Sequence, residues 1–154
     1  MRRFPALCIG LLLLAATAVG TGCGEGGAAA DATVSVYAAA PLCKEAQREL
    51  AKAGGKGGDL RVRAVCLAPV EVKGRVDLAA AGANARRATE DSTAVAYLEA
   101  PGSAAKFSRP ILEAANVGWV ETSSGVTAMR RVLKALEERG SSSPRDAVRE
   151  SLEA

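Results

Sequence analysis

The sequence predicts an α/β domain: a parallel sheet of about four strands with helices on both faces. Three observations lead there. Short β-branched runs alternate with helical stripes in the order β-α-β-α-β-α-β-α-α, and such alternation builds parallel sheets through crossover helices. The chain has 154 residues, which suits one domain of ordinary size. Its composition is 49% hydrophobic and 24% charged, enough apolar surface for a core and against wholesale disorder.

The elements follow in chain order. Thr33-Val34-Ser35-Val36-Tyr37 is a β-branched strand, closed by small residues and Pro41. Lys44 to Ala53 reads as a helix with Ala46, Leu50 and Ala53 on one face, and Gly54 to Gly58 breaks it as a turn. Leu60 to Leu67 is the second strand, with Val62, Ala64 and Cys66 on one face and Arg61, Arg63 and Val65 on the other. Leu78 to Thr89 is an alanine-rich helix that carries Arg86, Arg87 and Glu90 outward. Thr93 to Leu98 is a third strand, apolar enough to be buried on both faces. Ala104 to Ala115 forms a helix with Pro110 expected near its first turn, and Val117 to Val120 is a shorter fourth strand. Val126, Met129, Val132, Leu133 and Leu136 recur at helical spacing as a core stripe. Ser143-Pro144-Arg145-Asp146 is a helix start, and the last helix turns Ala147, Val148 and Leu152 inward. Ligands of such sheets sit beyond the carboxyl ends of the strands, where the connecting loops gather.

The N-terminus reads as an export signal. Arg2 and Arg3 precede a run from Ala6 to Val19, too short for a membrane span of roughly 20 residues but suited to a signal core. It closes on Val19-Gly20-Thr21-Gly22-Cys23, which resembles a bacterial lipobox, although Gly20 stands where Leu or Val is usual. Cleavage there makes residues 1–22 a lipoprotein signal peptide, with Cys23 the lipidated residue. An ordinary signal peptide with an incidental cysteine is the other reading. Residues 23–31, rich in Gly and Ala, form a flexible tether, and 32–154 form the single domain. Such a chain is exported and held at the extracytoplasmic face of the cell membrane by its lipid.

Cys8 leaves with the signal and Cys23 takes the lipid, so Cys43 and Cys66 remain. In an oxidising compartment they most simply form a disulfide, the alternative being two buried thiols. Adjacent parallel strands would bring both cysteines to one sheet edge, within bridging reach.

Composition excludes much chemistry. There is no histidine, which removes imidazole bases and histidine-ligated metal. Two thiols without histidine make a metal site improbable, and no cofactor motif is present. A net charge of +3 is too mild for an electrostatic nucleic-acid binder. The glycines around Lys56 lack the strand and the Ser or Thr of a phosphate loop. Glu90-Asp91 and Glu137-Glu138 are adjacent in sequence, so neither pair forms a dyad, and all four read as solvated charges. Tyr97 and Trp119 lie in strands and read as core, a ligand-stacking role being the other reading. An enzyme is not expected.

Two stretches carry a resemblance. Ala83 to Leu98 (ANARRATEDSTAVAYL) and Phe107 to Ala115 (FSRPILEAA) resemble the first lobe of leucine/isoleucine/valine-type periplasmic binding proteins. These are the type 1 substrate-binding components of ABC transporters. Val34 to Leu42 is similar to that family's opening strand and Pro-Leu turn, and the likeness spans roughly residues 33–124. Gly125 to Ala135 and Arg145 to Leu152 look like the helices that close a full-length member. The chain therefore reads as lobe 1 joined directly to the terminal helices, with lobe 2 missing.

The resemblance implies recognition of an amino acid or similar small solute for an ABC permease. Family members contact the ligand's carboxylate and amino groups from two lobe-1 loops. Ser103 is the match in the loop after the third strand, with Gly102 the competing register, and Glu99 stands where the family usually has glycine. Ser123 and Ser124 match in the loop after the fourth strand, followed by Gly125 in place of threonine. Hydroxyls suit a carboxylate because they donate without bringing charge. The plainer reading is that these serines cap turns and helix starts. A non-transporting interaction or sensory lipoprotein is the alternative function. A lone lobe leaves one ligand face wet, so useful affinity would need a second protein surface, another copy or a partner.

Overall fold

A computed structural model describes residues 29–102, 104–140 and 142–154. The expected export signal, Cys23 and Ser103 lie outside the described residues. The chain alternates as expected: β1 (Thr33–Ala38), α1 (Ala40–Lys52), β2 (Lys56–Gly57), β3 (Leu60–Cys66), β4 (Glu71–Val72), β5 (Arg75–Val76), α2 (Leu78–Glu90), β6 (Ala94–Glu99), α3 (Ala105–Ala114), β7 (Gly118–Glu121), α4 (Gly125–Glu138) and α5 (Pro144–Glu153). The main sheet has five strands in the order β2-β3-β1-β6-β7, and β4 pairs with β5 apart from it. Every neighbouring pair from β3 to β7 is parallel, while β2 lies antiparallel on the β3 edge. The expected α/β class with about four parallel strands is what forms.

The helices cover both faces. On one, α1, α4 and α5 bury Leu50, Met129, Val132, Leu136 and Val148 against Val34, Val36 and Leu98. On the other, α2 and α3 pack Ala85, Ala88 and Leu112 against Tyr37 and Tyr97. Alanine on the buried side of α2 lets the helix lie close against the sheet. All six residues of β6 are buried, as a central strand requires.

Several local expectations are corrected. Helix α1 begins at Ala40, not Lys44, because Pro41 in its first turn needs no amide partner. The glycine turn after α1 holds the two-residue strand β2. Pro110 sits mid-helix in α3 instead of in the first turn, and the helix continues through it. Ala147 of α5 is half-buried, while Pro144 joins Val148 and Leu152 inside. The β4–β5 hairpin was not foreseen. Its turn places Lys73 at φ 53° and Gly74 at φ 73°, the two consecutive left-handed residues that a tight two-residue hairpin loop demands.

The pairing of β1 with β3 sets Ala38 opposite Cys66 at the carboxyl edge. Cys43, one turn into α1, meets Cys66 there in a disulfide with the Cα atoms 5.4 Å apart. Among the described residues, no helix is long and apolar enough to cross a membrane.

Candidate functional site

From β1 the chain crosses to β3 on one side, then to β6 on the other, so the loops after β1 and β6 run apart. The crevice they leave is where sheets of this kind take ligands. A cavity of about 170 Å³ lies there. Its walls come from Ala39 to Pro41 after β1, Leu67 to Glu71 after β3, Val76 of β5, and Ala100 to Gly102 with Ala104 after β6. These walls are mainly apolar, and α4 and α5 contribute nothing to them. Besides the exposed Glu71 of β4, three polar side chains line it: Asn84, Tyr97 and Glu99.

Each is positioned by its element. Asn84 faces inward from α2 and donates its Nδ2 to the Ala68 carbonyl at 2.9 Å, which fixes the loop after β3. Tyr97 is almost wholly buried in β6, and burial, then the Glu99 charge, push its hydroxyl well above the usual range. It is therefore a neutral donor at ordinary pH. Glu99 ends β6 and is only 4% exposed. Its Oε2 accepts from the Ser108 hydroxyl of α3 and from Trp119 Nε1 of β7 at 2.9 Å. Arg109 stacks over the Trp119 ring, 5.0 Å from its centroid. The loop after β6 is tied down where Gly102 N donates to Glu121 Oε1 at 3.0 Å.

The expected serines stand differently. Ser124 is the N-cap of α4, accepting from Thr127 N at 3.2 Å, while its own amide donates to Thr122 Oγ1 at 3.1 Å. Ser123 is exposed beside it. Both lie in the loop after β7, one strand beyond the cavity, and neither lines it. The next amide, Gly125 N, donates to Glu45 Oε2 of α1 at 3.0 Å. A Cβ at Gly125 would come within 2.4 Å of the Leu42 carbonyl, so this helix start lies directly on the α1 backbone. The helix N-terminus thus already holds a carboxylate of the chain's own.

A second polar cluster forms at the start of β6. Asp91, read from sequence as a solvated charge, is largely buried, its side chain 18% exposed. Burial pushes its carboxyl upward, but hydrogen bonds from Thr93 Oγ1 (2.6 Å), Thr93 N (2.8 Å) and Tyr37 Oη (2.9 Å) outweigh it. The carboxyl is held down at about 2. Glu90, Glu137 and Glu138 do not share this burial. Sequence reasoning also missed Arg145, whose guanidinium donates to the carbonyls of Ala94 (2.9 Å), Ser92 (3.2 Å) and Ala115 (3.3 Å), fastening α5 to the sheet. Among the described residues no three Cys, Asp or Glu side chains converge as a metal-binding group.

No protein family, curated protein or solved structure matches the chain.

Proposed function

We propose that this chain is the solute-recognition domain of an exported lipoprotein, anchored through Cys23 and resembling the substrate-binding component of a branched-chain amino acid ABC importer. It is a binding module, not an enzyme, and takes an amino acid or similar small solute at the carboxyl edge of its sheet. The observation that carries this reading is the apolar cavity at the crossover between β1 and β6, with a few buried polar groups converging on it. The Cys43–Cys66 bridge fits an oxidising compartment.

The cavity is smaller than the several hundred Å³ of a drug-sized pocket, so the solute is small. Each neutral hydrogen bond nets only about 1 kcal/mol against water, whereas micromolar affinity needs about 8 kcal/mol. The isolated monomer therefore binds in the millimolar range. Tighter binding needs a second surface over the loops, a permease, another copy or a partner protein. Titration calorimetry with leucine, valine, small amides and small amines tests the reading. Saturable heat from at least one class is expected; none from any solute at millimolar concentration overturns it.

One observation favours the alternative, an interaction or sensory lipoprotein. Val76 at the cavity wall and Leu78 at the start of α2 are apolar and exposed, as is Phe107 on α3. Exposed apolar side chains of this size suit a protein contact. Leu78→Ser together with Phe107→Ser would abolish partner capture on that reading and leave solute binding unchanged on the first.

A further inference from the structure

Resting on the reading that the cavity takes a solute, we propose that this solute is a small primary amine in its ammonium form, received by Glu99. What sets Glu99 apart is what it lacks. It is a nearly buried carboxylate whose two hydrogen bonds, from Ser108 and Trp119, come from neutral donors and fall on the same oxygen, Oε2. Among the described residues it enters no ion pair, and Oε1 carries no hydrogen bond. A buried carboxylate left without countercharge is costly, and an ammonium repays that cost with charge and up to three donors at once.

Asn84 fits the same ligand. It gives one Nδ2 hydrogen to the Ala68 carbonyl, and its Oδ1 stands open as an acceptor. Glu99 and Asn84 therefore both offer lone pairs, and a ligand that only donates satisfies both. Ala39, Pro41, Leu67 and Val70 supply apolar wall for a short alkyl body.

The carboxylate of an amino acid finds no such welcome. The helix start where hydroxyls and amides would receive it is already filled: Ser124 caps Thr127 N, and Glu45 occupies Gly125 N. Glu121, held to Gly102 N, adds another negative charge at the same edge. A zwitterion would set its own carboxylate among these acids. A monoamine would not.

The test is amide chemical-shift titration of the ¹⁵N-labelled full chain with n-butylammonium, n-butanol, butyrate and leucine, matched in size and differing in charge. The expected result is saturable shifts at Ala40, Ala68, Glu99 and Gly102 with butylammonium, and at least tenfold weaker binding of the other three. Glu99→Gln should weaken butylammonium at least tenfold, with shifts elsewhere unchanged. Should that variant fail to fold, the four-compound series on the unaltered chain still decides. Butanol, butyrate or leucine binding as tightly as the amine overturns the proposal and leaves the solute-binding reading standing. No response to any of the four overturns both.

Discussion

At the scale of single residues, Asp91 shows how much a side chain's role depends on partners distant in sequence. Thr93 is two positions away, but Tyr37 is 54 positions away, and its hydroxyl reaches Asp91 only because β1 and β6 pair. A carboxyl held at about 2 against an ordinary 3.8 stabilises the fold when ionised. Its folded value is depressed, so the contribution is complete above the unfolded value and fades as pH falls through about 2. Asp91→Asn is expected to cost about 2 kcal/mol at neutral pH, the deficit narrowing between about pH 4 and pH 2. Urea denaturation of both proteins across that range checks it. Arg145 makes the same point with the opposite charge. Lysine cannot reproduce a planar fork spread over several carbonyls, so Arg145→Lys should lose about 1–2 kcal/mol by the same measurement.

At the scale of elements, two helical glycines separate packing from propensity. Gly125 lets α4 rest on the α1 backbone, and a methyl there would meet the Leu42 carbonyl at 2.4 Å. Gly125→Ala should destabilise by about 2–3 kcal/mol through displacement of α4. Gly82 in α2 has nothing closer to an added Cβ than the Arg86 guanidinium at 3.7 Å. Gly82→Ala should therefore stabilise by about 0.5–1 kcal/mol, the ordinary helix preference for alanine. Thermal melts of the pair, shifting in opposite directions, check both. The disulfide closes a span of 23 residues, and its reduction should cost about 3 kcal/mol, read as a lower urea midpoint with reductant. These elements were legible for a local reason: strand and helix periods are written in neighbouring residues. The β4–β5 hairpin escaped because two-residue strands carry no period, and its only signal was Lys73-Gly74 between two short extended pairs. Pro110 was misplaced because proline usually marks a first turn, whereas α3 tolerates it in its middle.

At the scale of the whole molecule, the fold class followed from alternation alone, and a crevice lies at the carboxyl edge because crossover handedness and strand order decide where loops part. The residues that line that crevice did not follow. Glu99 stood out in sequence only as a departure from glycine, and its burial depends on Ser108 and Trp119 arriving from α3 and β7. Ser123 and Ser124 were singled out by resemblance, yet they sit one strand beyond the cavity, where capping α4 already occupies Ser124. The central claim is that the crevice between the loops after β1 and β6 is where this protein meets its solute. A crystal structure of the chain grown with a small amine at tens of millimolar tests it most directly. The ligand is expected against Glu99, enclosed by the loops that follow β1, β3 and β6. A ligand seated instead at Ser123 and Ser124, with the Glu99 cavity empty, would contradict it.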